Sequence, residues 1–342
     1  MPTNAATAAR LIFVDDSLPG ITRRRAGKGC RYFDPGGAAI TDRAEIARLN
    51  AIALPPAYRD AWFCQSDNGH ILATGIDDKG RKQYRYHPEF RAAREAEKFG
   101  GCIAFGAALP EIRKRVEADL AGSGLGLERA VASIVRLLDT GGIRIGNEAY
   151  VKANRSFGAT TLRKRHADLN GQTLKLRFKA KSGKLCEMRL TDRGLARFVR
   201  RIQDLPGQNL FQYLGDDGDP RPVTSSDVNA YLRETMGADF TAKHFRTWHA
   251  SALAFGLLAE RGERLSLKAV LVEVSGKLAN TPAIARKSYV HPAVLALVER
   301  QEEWRSDLAL PRRTRWLSRA ERGLIEFLDQ GEDVPTASSR SA

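Results

Sequence analysis

A tyrosine with cationic neighbours is the first candidate for chemistry in this sequence. Residues 280–292 read NTPAIARKSYVHP and place Tyr289 close to Arg286 and Lys287, with no acidic residue in the stretch. A phenol among cations can attack a negatively charged group, because positive charge favours its ionised form. The alternative is an aromatic side chain that packs at a helix end, so other motifs must decide between the two interpretations.

The tyrosine follows a short predicted helix. Thr281-Pro282 is a favourable helix start, since proline at the first helical position lacks only an N–H group that would stay unpaired. Tyr289 falls about two turns further on, and Pro292 interrupts the chain soon afterwards. The pattern predicts a short helix between two breaks, which can move as a unit and deliver the phenol.

Three further cations lie in suggestive contexts. Arg144 follows a predicted helix that ends at Gly141-Gly142, Arg246 lies inside a predicted helix, and Lys181 stands at a predicted hairpin turn. Any one of them alone would more often be a surface cation. Arg144 and Arg246 are embedded in apolar sequence with few carboxylates nearby, however, and an unpaired cation is costly there. We therefore expect them to bind an anionic partner.

The charge balance favours a polyanion as that partner. The chain has 342 residues with 55 Lys+Arg against 40 Asp+Glu, a net charge of +15. Residues 144–189 alone carry twelve Lys or Arg and three Asp or Glu, a local charge of +9. A nucleic acid is the first candidate and a membrane surface the second. A solubilising surface remains the alternative for the charge cluster taken alone.

Other chemistries lack their sequence patterns. The cysteines Cys30, Cys64, Cys102 and Cys186 form no CxxC pair, and the histidines form no HExxH pattern, so no metal site or disulfide is expected. The stretch GSGLG at 122–126 predicts a helix connector and DDGD at 216–219 a turn, because neither has the context of a nucleotide or calcium loop. No cofactor is expected. Without a signal core or membrane span, a cytoplasmic location is predicted.

Hydrophobic periodicity predicts an α+β protein. We expect a basic N-terminal arm at 1–30, a small β-rich domain at 31–100, a larger mainly helical domain at 101–330 and a disordered tail at 331–342. A small β-sheet inserted in the helical domain is indicated by alternation along 174–190, with Ser-Gly of KSGK as a two-residue turn. Helices are expected from Pro110, near 192–203, near 226–237 with Ser225 or Ser226 as N-cap, and near 241–261, 266–279 and 291–302.

Four motifs in order resemble those of type IB DNA topoisomerases, most closely the poxvirus-like and bacterial branch. They are RIGNEAYVKANRSFGATTLRKRH, FKAKSGK, KHFRTW and NTPAIARKSY, and TGIDDKGRKQYRYH near the N-terminus resembles the same branch. The match covers most of residues 30–300. It implies the fold shared by tyrosine recombinases and type IB topoisomerases. It also implies an enzyme that cleaves one strand of duplex DNA through a 3′-phosphotyrosyl intermediate, lets the duplex swivel and religates. Such an enzyme relaxes positive and negative supercoils without ATP or metal.

The resemblance assigns catalytic roles to five residues. It makes Tyr289 the nucleophile, Arg144 and Arg246 the two active-site arginines, and Lys181 the hairpin lysine, which we expect to protonate the leaving 5′-oxygen. Asn280 stands where the viral enzymes have histidine. Asparagine can donate a hydrogen bond to a phosphate oxygen but cannot transfer a proton at neutral pH. Its expected role is therefore to stabilise the transition state.

DNA contacts are implied in both domains, at Gln83, Tyr84, Tyr86, Tyr150 and Lys243. Basic residues interleaved with aromatics in KGRKQYRYH fit groove and phosphate contacts, with an edge strand bearing solvated charges as the alternative. The implied partner is double-stranded DNA, held by a monomer whose domains clamp around the duplex in the nucleoid.

Two rival functions remain open at the level of the sequence. A tyrosine recombinase would use similar chemistry, but recombinases typically carry histidine at the position of Lys243 and lack this N-terminal domain. A non-catalytic basic DNA-binding protein would explain the charge but not four ordered motifs.

Overall fold

The computed structural model describes residues 11–27 and 29–331. The chain divides into two compact units, with the boundary between Gly100 and Gly101. Within the described ranges, none of the helices has the length and apolar character needed to cross a bilayer.

The first unit is built on one antiparallel sheet. Its strands are β1 (Ile21–Ala26), β2 (Gly29–Phe33), β3 (Arg59–Phe63), β4 (Ile71–Ile76) and β5 (Lys82–Tyr86), and they lie in the order β2-β1-β3-β4-β5. Helix α1 (Arg43–Ala51) supplies Leu49 to a core that also contains Ile21, Phe63 and Ala73. Helix α2 (Pro88–Gly100) ends the unit.

The basic arm predicted over 1–30 is wrong for the residues that form β1. The run Arg23-Arg24-Arg25 lies in a strand paired with both β2 and β3. Arg23 donates to the carbonyls of Leu54 and Pro55, both at 2.6 Å, so its charge is satisfied inside the unit. Composition alone suggested a solvated arm, whereas tertiary contacts recruit the segment into the sheet. Residues 1–10 of the predicted arm lie outside the described residues.

The second unit is mainly helical with two small sheets. Its helices are α3 (Cys102–Ala121), α4 (Leu127–Gly141), α5 (Glu148–Asn154), α6 (Arg193–Ile202), α7 (Ser225–Met236), α8 (Ala242–Glu260), α9 (Leu267–Lys277), α10 (Pro282–Ser288), α11 (Pro292–Ala296), α12 (Gln301–Ser306) and α13 (Arg319–Gly331). Strands β6 (Ala167–Asn170), β7 (Thr173–Lys179) and β8 (Leu185–Thr191) form a three-stranded antiparallel sheet in the order β6-β7-β8. Strands β9 (Gln212–Leu214) and β10 (Pro220–Pro222) form a hairpin.

The core of the second unit fixes the helices that carry candidate residues. Phe245, Trp248 and Phe255 of α8 are fully buried, and α4 buries nine of its residues. Full burial of each such side chain stabilises the folded protein by about 1.5–3 kcal/mol. These helices therefore form a rigid frame. The predicted α+β class, with a β-rich first unit and an inserted sheet in a helical second unit, is confirmed.

Several local predictions need correction. Helix α3 begins at Cys102 and contains Pro110 in its interior, because burial of Phe105 and Leu109 outweighs the N–H group that proline lacks. Thr224 caps α7 in place of the serines that follow it. The loop between β7 and β8 has five residues, 180–184, and the region near 291–302 contains the separate helices α11 and α12. The predicted tail begins at the last residue of α13, and positions 332–342 lie outside the described residues.

Candidate active site

One cleft in the second unit gathers most of the candidate residues. It encloses about 300 Å³ and is lined by Arg144, Tyr150, Lys181, Lys243, Arg246 and Tyr289, together with small and apolar neighbours. These residues are separated by up to 145 positions in sequence and come from α5, the β7–β8 loop, α8, the end of α10 and the loop after α4. Four of the side chains that line the cleft are cationic and none is a carboxylate. The cleft is therefore suited to an anion.

Tyr289 is held at the end of the predicted short helix. Thr281 caps α10 by accepting the Ile284 N–H at 3.3 Å, and Pro282 occupies the first turn. Tyr289 forms the C-cap, with its N–H donated to the Ala285 carbonyl at 3.0 Å. The helix start predicted from Thr281-Pro282 is confirmed.

The phenol of Tyr289 lies against the two arginines. The guanidinium carbon of Arg246 is 4.7 Å from the ring centre. Burial of the phenol opposes ionisation, but the charge of Arg246, its hydrogen bonding and the same two effects from Arg144 prevail, so the pKa of Tyr289 is lowered from its usual value of 10.0. A phenol with a lowered pKa is a better nucleophile at neutral pH.

Arg246 is buried and tied to the backbone. It is only 4% exposed, and its two terminal nitrogens donate to the carbonyls of Gly142 and Leu278, the latter at 3.0 Å. Gly142 ends α4 in the left-handed conformation, with φ of 58°. Burial, and then repulsion from Arg144, lowers the pKa of Arg246. Its Nε has no hydrogen-bond partner among the described residues.

Arg144 and Asn280 form a direct pair. Arg144 Nη2 donates to Asn280 Oδ1 at 2.5 Å. Asn280 is 7% exposed, and its Nδ2 is a buried donor without a partner among the described residues. An unsatisfied buried donor costs about 1–3 kcal/mol. Asn280 Nδ2 and Arg246 Nε are therefore two buried donors that have no hydrogen-bond partner among the described residues.

Lys181 and Tyr150 meet at the rim of the cleft. Lys181 lies in the loop between β7 and β8, and its Nζ is 5.7 Å from the centre of the Tyr150 ring. Tyr150 is 39% exposed on α5. Lys243 is exposed in the first turn of α8 and lines the same cleft. The Lys181 ammonium group thus lies beside the Tyr150 ring. Among the described residues it forms no ion pair with a carboxylate.

The three candidates in the first unit lie on the edge strand β5 but do not share a face. Tyr84 and Tyr86 stack with ring centres 5.7 Å apart and are about 40% exposed. Gln83 points to the opposite face, since successive side chains alternate, and its Nε2 donates to Asp77 Oδ2 at 2.9 Å. The strand therefore presents two tyrosines together and holds the glutamine elsewhere.

Two contacts at the site were not anticipated from the sequence. Lys184 Nζ donates to the Asn280 carbonyl at 2.6 Å. Ser251 Oγ donates to the Tyr289 carbonyl at 3.3 Å and accepts the His291 N–H at 2.9 Å. Both join side chains to backbone groups far away in sequence, and no pattern in the sequence marks such a pairing. In the part of the chain that the structure describes, no three His, Cys, Asp or Glu residues cluster as metal ligands would.

Comparison with known families identifies the family to which the chain belongs. The family model of the eukaryotic DNA topoisomerase I catalytic core matches residues 87–297, and that of the bacterial DNA topoisomerase IB N-terminal domain matches residues 29–77. The chain therefore belongs to the type IB DNA topoisomerase family, and it is an enzyme of the DNA topoisomerase class.

Two of the proteins that resemble this chain are DNA topoisomerases. The chain is 30% identical over 302 residues to DNA topoisomerase 1B of Acanthamoeba polyphaga mimivirus, which covers 84% of this chain and 90% of that protein. It is 26% identical over 265 residues to DNA topoisomerase 1 of Mycosarcoma maydis, covering 70% of this chain and 25% of that protein. A structure of the XerH site-specific recombinase bound to palindromic difH substrate aligns with a TM-score of 0.37 at 16% identity, over 57% of this chain and 51% of that chain.

Proposed function

We propose that this enzyme cleaves one strand of duplex DNA by attack of Tyr289, lets the duplex swivel about the intact strand, and religates. The observation that carries the proposal is the contact of the Tyr289 ring with Arg246 at 4.7 Å, in a cleft lined by four cations and no carboxylate. A phenol with a lowered pKa in such a cleft is suited to attack a phosphodiester.

The proposed reaction begins when the Tyr289 phenol, whose pKa is lowered, loses its proton to solvent. The phenolate oxygen then bonds to phosphorus and the bond from phosphorus to the 5′-oxygen breaks, which leaves a 3′-phosphotyrosyl linkage. Lys181 gives its proton to the leaving 5′-oxygen. Religation reverses both changes, and because the linkage keeps the bond energy of the phosphodiester, no ATP is required.

The transition state carries added negative charge on the non-bridging oxygens of the phosphate. The groups proposed to meet it are Arg144, Arg246 and Asn280, and the latter two each have a buried donor without a partner among the described residues. Fixed donors in a buried site stabilise developing charge more strongly than water does. The two arginines and the Asn280 amide are proposed to offset that negative charge without a metal ion.

The partner in this proposal is double-stranded DNA, bound by a monomer. Residues 144–189, with a local charge of +9, supply affinity through phosphate contacts, aided by Lys243 and Tyr150. Tyr84 and Tyr86 are proposed to contact DNA from one face of β5 in the first unit, and Gln83 is proposed to contact DNA from the other face of the same edge strand, after its bond to Asp77 opens. Binding should weaken steeply with salt, because each phosphate contact releases a counterion.

Relaxation of plasmid DNA tests the proposal. Positively and negatively supercoiled plasmids are incubated with the protein in EDTA without ATP, and topoisomers are separated on agarose gels. Both substrates should relax. Strict dependence on magnesium, or relaxation of negative supercoils alone, would contradict the proposal, and a Tyr289→Phe preparation controls for contaminating topoisomerase.

A further inference from the structure

Two functional segments of the second unit are joined by one lysine. Lys184 lies at the end of the loop between β7 and β8, and its Nζ donates to the backbone carbonyl of Asn280 at 2.6 Å. The two residues are 96 positions apart. One belongs to the loop that carries Lys181, and the other precedes the helix that ends at Tyr289.

Backbone hydrogen bonds across the loop 180–184 fix the positions of Lys181 and Lys184 relative to each other. The Ala180 N–H donates to the Lys184 carbonyl at 2.7 Å, and the Gly183 N–H donates to the Ala180 carbonyl at 3.0 Å. Gly183 has φ of 75°, a left-handed conformation that glycine adopts without strain. Any contact that anchors Lys184 therefore also limits where Lys181 can lie.

Three cations bind the segment 278–280, which contains the acceptor of the Lys184 bond. Arg246 donates to the carbonyl of Leu278, Arg144 to the Asn280 side chain, and Lys184 to the Asn280 carbonyl. Between them Ala279 has φ of 49°, which is unfavourable for a residue with a Cβ. Such a conformation persists only where its surroundings fix it. The three bonds hold Asn280 immediately before Thr281, the cap of α10.

We infer that Lys184 is a positioning residue for the proposed strand cleavage. It holds Asn280 in register with Arg144 and fixes the distance between the Lys181 loop and the start of the Tyr289 helix. It does so through a neutral backbone acceptor and without contact with DNA. The inference rests on the proposed function. It gives Lys184 a role different from the phosphate contact proposed for the basic surface of 144–189 as a whole.

The test measures covalent adduct formation in single turnover with a labelled oligonucleotide duplex and saturating enzyme. Lys184→Ala should be slowed by about tenfold to a hundredfold, as for other small displacements of catalytic groups. Lys184→Arg keeps a cationic donor of similar reach and should recover most of the rate. Lys268→Ala removes an exposed lysine from α9, far from the cleft in sequence, and should react as the wild type does.

Salt dependence distinguishes positioning from DNA contact. DNA affinity is measured at several salt concentrations for Tyr289→Phe with and without Lys184→Ala. A plot of log affinity against log salt concentration should have the same slope for both proteins. A lost phosphate contact would instead reduce the slope by about one, and that result, with the rate restored by excess enzyme, would overturn the inference. So would a Lys184→Ala rate equal to that of Lys268→Ala.

A double variant tests whether Lys184 acts through Asn280. Lys184→Ala combined with Asn280→Ala should be little slower than the slower single variant, because residues acting as one unit are non-additive. Full additivity would overturn the part of the inference in which Lys184 acts through the Asn280 side chain. Unchanged thermal melting of each variant shows that the fold is retained. If the wild type forms no adduct, the proposed function itself fails; if it does and Lys184→Ala reacts equally fast, only the inference fails.

Discussion

The guanidinium of Arg246 lies 4.7 Å from the centre of the Tyr289 ring, and the same guanidinium is tied to two helix-end carbonyls. Its terminal nitrogens donate to Gly142 and Leu278, at the ends of α4 and α9. One buried cation thus fixes two helix ends relative to the nucleophile. Removal of Arg246 is therefore expected to disturb packing as well as charge.

Replacement of Tyr289 by phenylalanine should abolish the covalent DNA adduct and leave binding within about twofold of the wild type, because only the nucleophilic hydroxyl is lost. The ring and its contact with Arg246 remain. Denaturing gels with end-labelled duplex measure the adduct, and filter binding measures the affinity. An adduct in this variant that maps to Tyr84, Tyr86 or Tyr150 would show that the nucleophile lies elsewhere.

The pH dependence of cleavage should report the ionisation of Tyr289. The pKa of the phenol is lowered from 10.0, chiefly by Arg246 and Arg144 acting against burial. The single-turnover rate should therefore rise with pH and level off below pH 10. Arg144→Gln removes one of the two charges and should move the inflection to higher pH. An inflection at the same pH in both proteins would exclude electrostatic activation by Arg144.

The sequence predicted the members of the site better than their contacts. Tyr289, Arg144, Arg246 and Lys181 stand in motifs that resemble those of type IB topoisomerases, and the structure brings all four to one cleft. The bond from Lys184 to Asn280 depends on the meeting of a loop and a helix start 96 positions apart. No periodicity in either segment records that meeting.

The fold shows the same division between local pattern and tertiary context. The start of α10 at Thr281-Pro282 follows from capping rules. Local rules do not predict strand β1, because its pairing with two other strands overrides its basic composition. Nor do they predict that helix α3 continues across Pro110, because burial of Phe105 outweighs the effect of the proline.

Asn280 should be sensitive to charge. Asn280→Asp keeps an acceptor for Arg144 but replaces the unpaired Nδ2 donor with a carboxylate oxygen facing the phosphate. We expect cleavage to slow by about a hundredfold or more, as for loss of a donor to a developing oxyanion. Asn280→His restores a donor and should be the faster of the two in single-turnover cleavage. Equal rates for both variants would show that the side chain is not a donor in the transition state.

Acid should destabilise the second unit through His291. Burial lowers the pKa of this histidine from 6.5 to about 4, and its neutral Nδ1 accepts the Ala293 N–H at 3.2 Å. The unfolded chain therefore binds a proton that the folded protein does not between pH 6.5 and pH 4. The free energy of unfolding should fall as the pH is lowered through this window.

Urea titrations at several pH values measure this loss of stability. His291→Asn supplies another N-cap side chain that does not titrate, so its curve should lose the slope that His291 causes. A pH dependence unchanged by the substitution would place the responsible proton on another group.

Lys181 should be required for departure of the 5′-oxygen and for nothing else in the chemical step. It lies at the rim of the cleft, in a closed loop, with its Nζ 5.7 Å from the Tyr150 ring centre, whereas Arg144 and Arg246 lie deeper beside the phenol. Lys181→Ala should cleave ordinary DNA slower by about a hundredfold to ten-thousandfold, the range for loss of a general acid. With sulfur at the bridging 5′ position the leaving group is a thiolate, which departs without a proton. On that substrate Lys181→Ala should approach the wild-type rate, while Arg144→Ala and Arg246→Ala stay slow because they stabilise the phosphate itself. If sulfur restores nothing to Lys181→Ala, the lysine neutralises phosphate charge as the arginines do, and another group donates the proton.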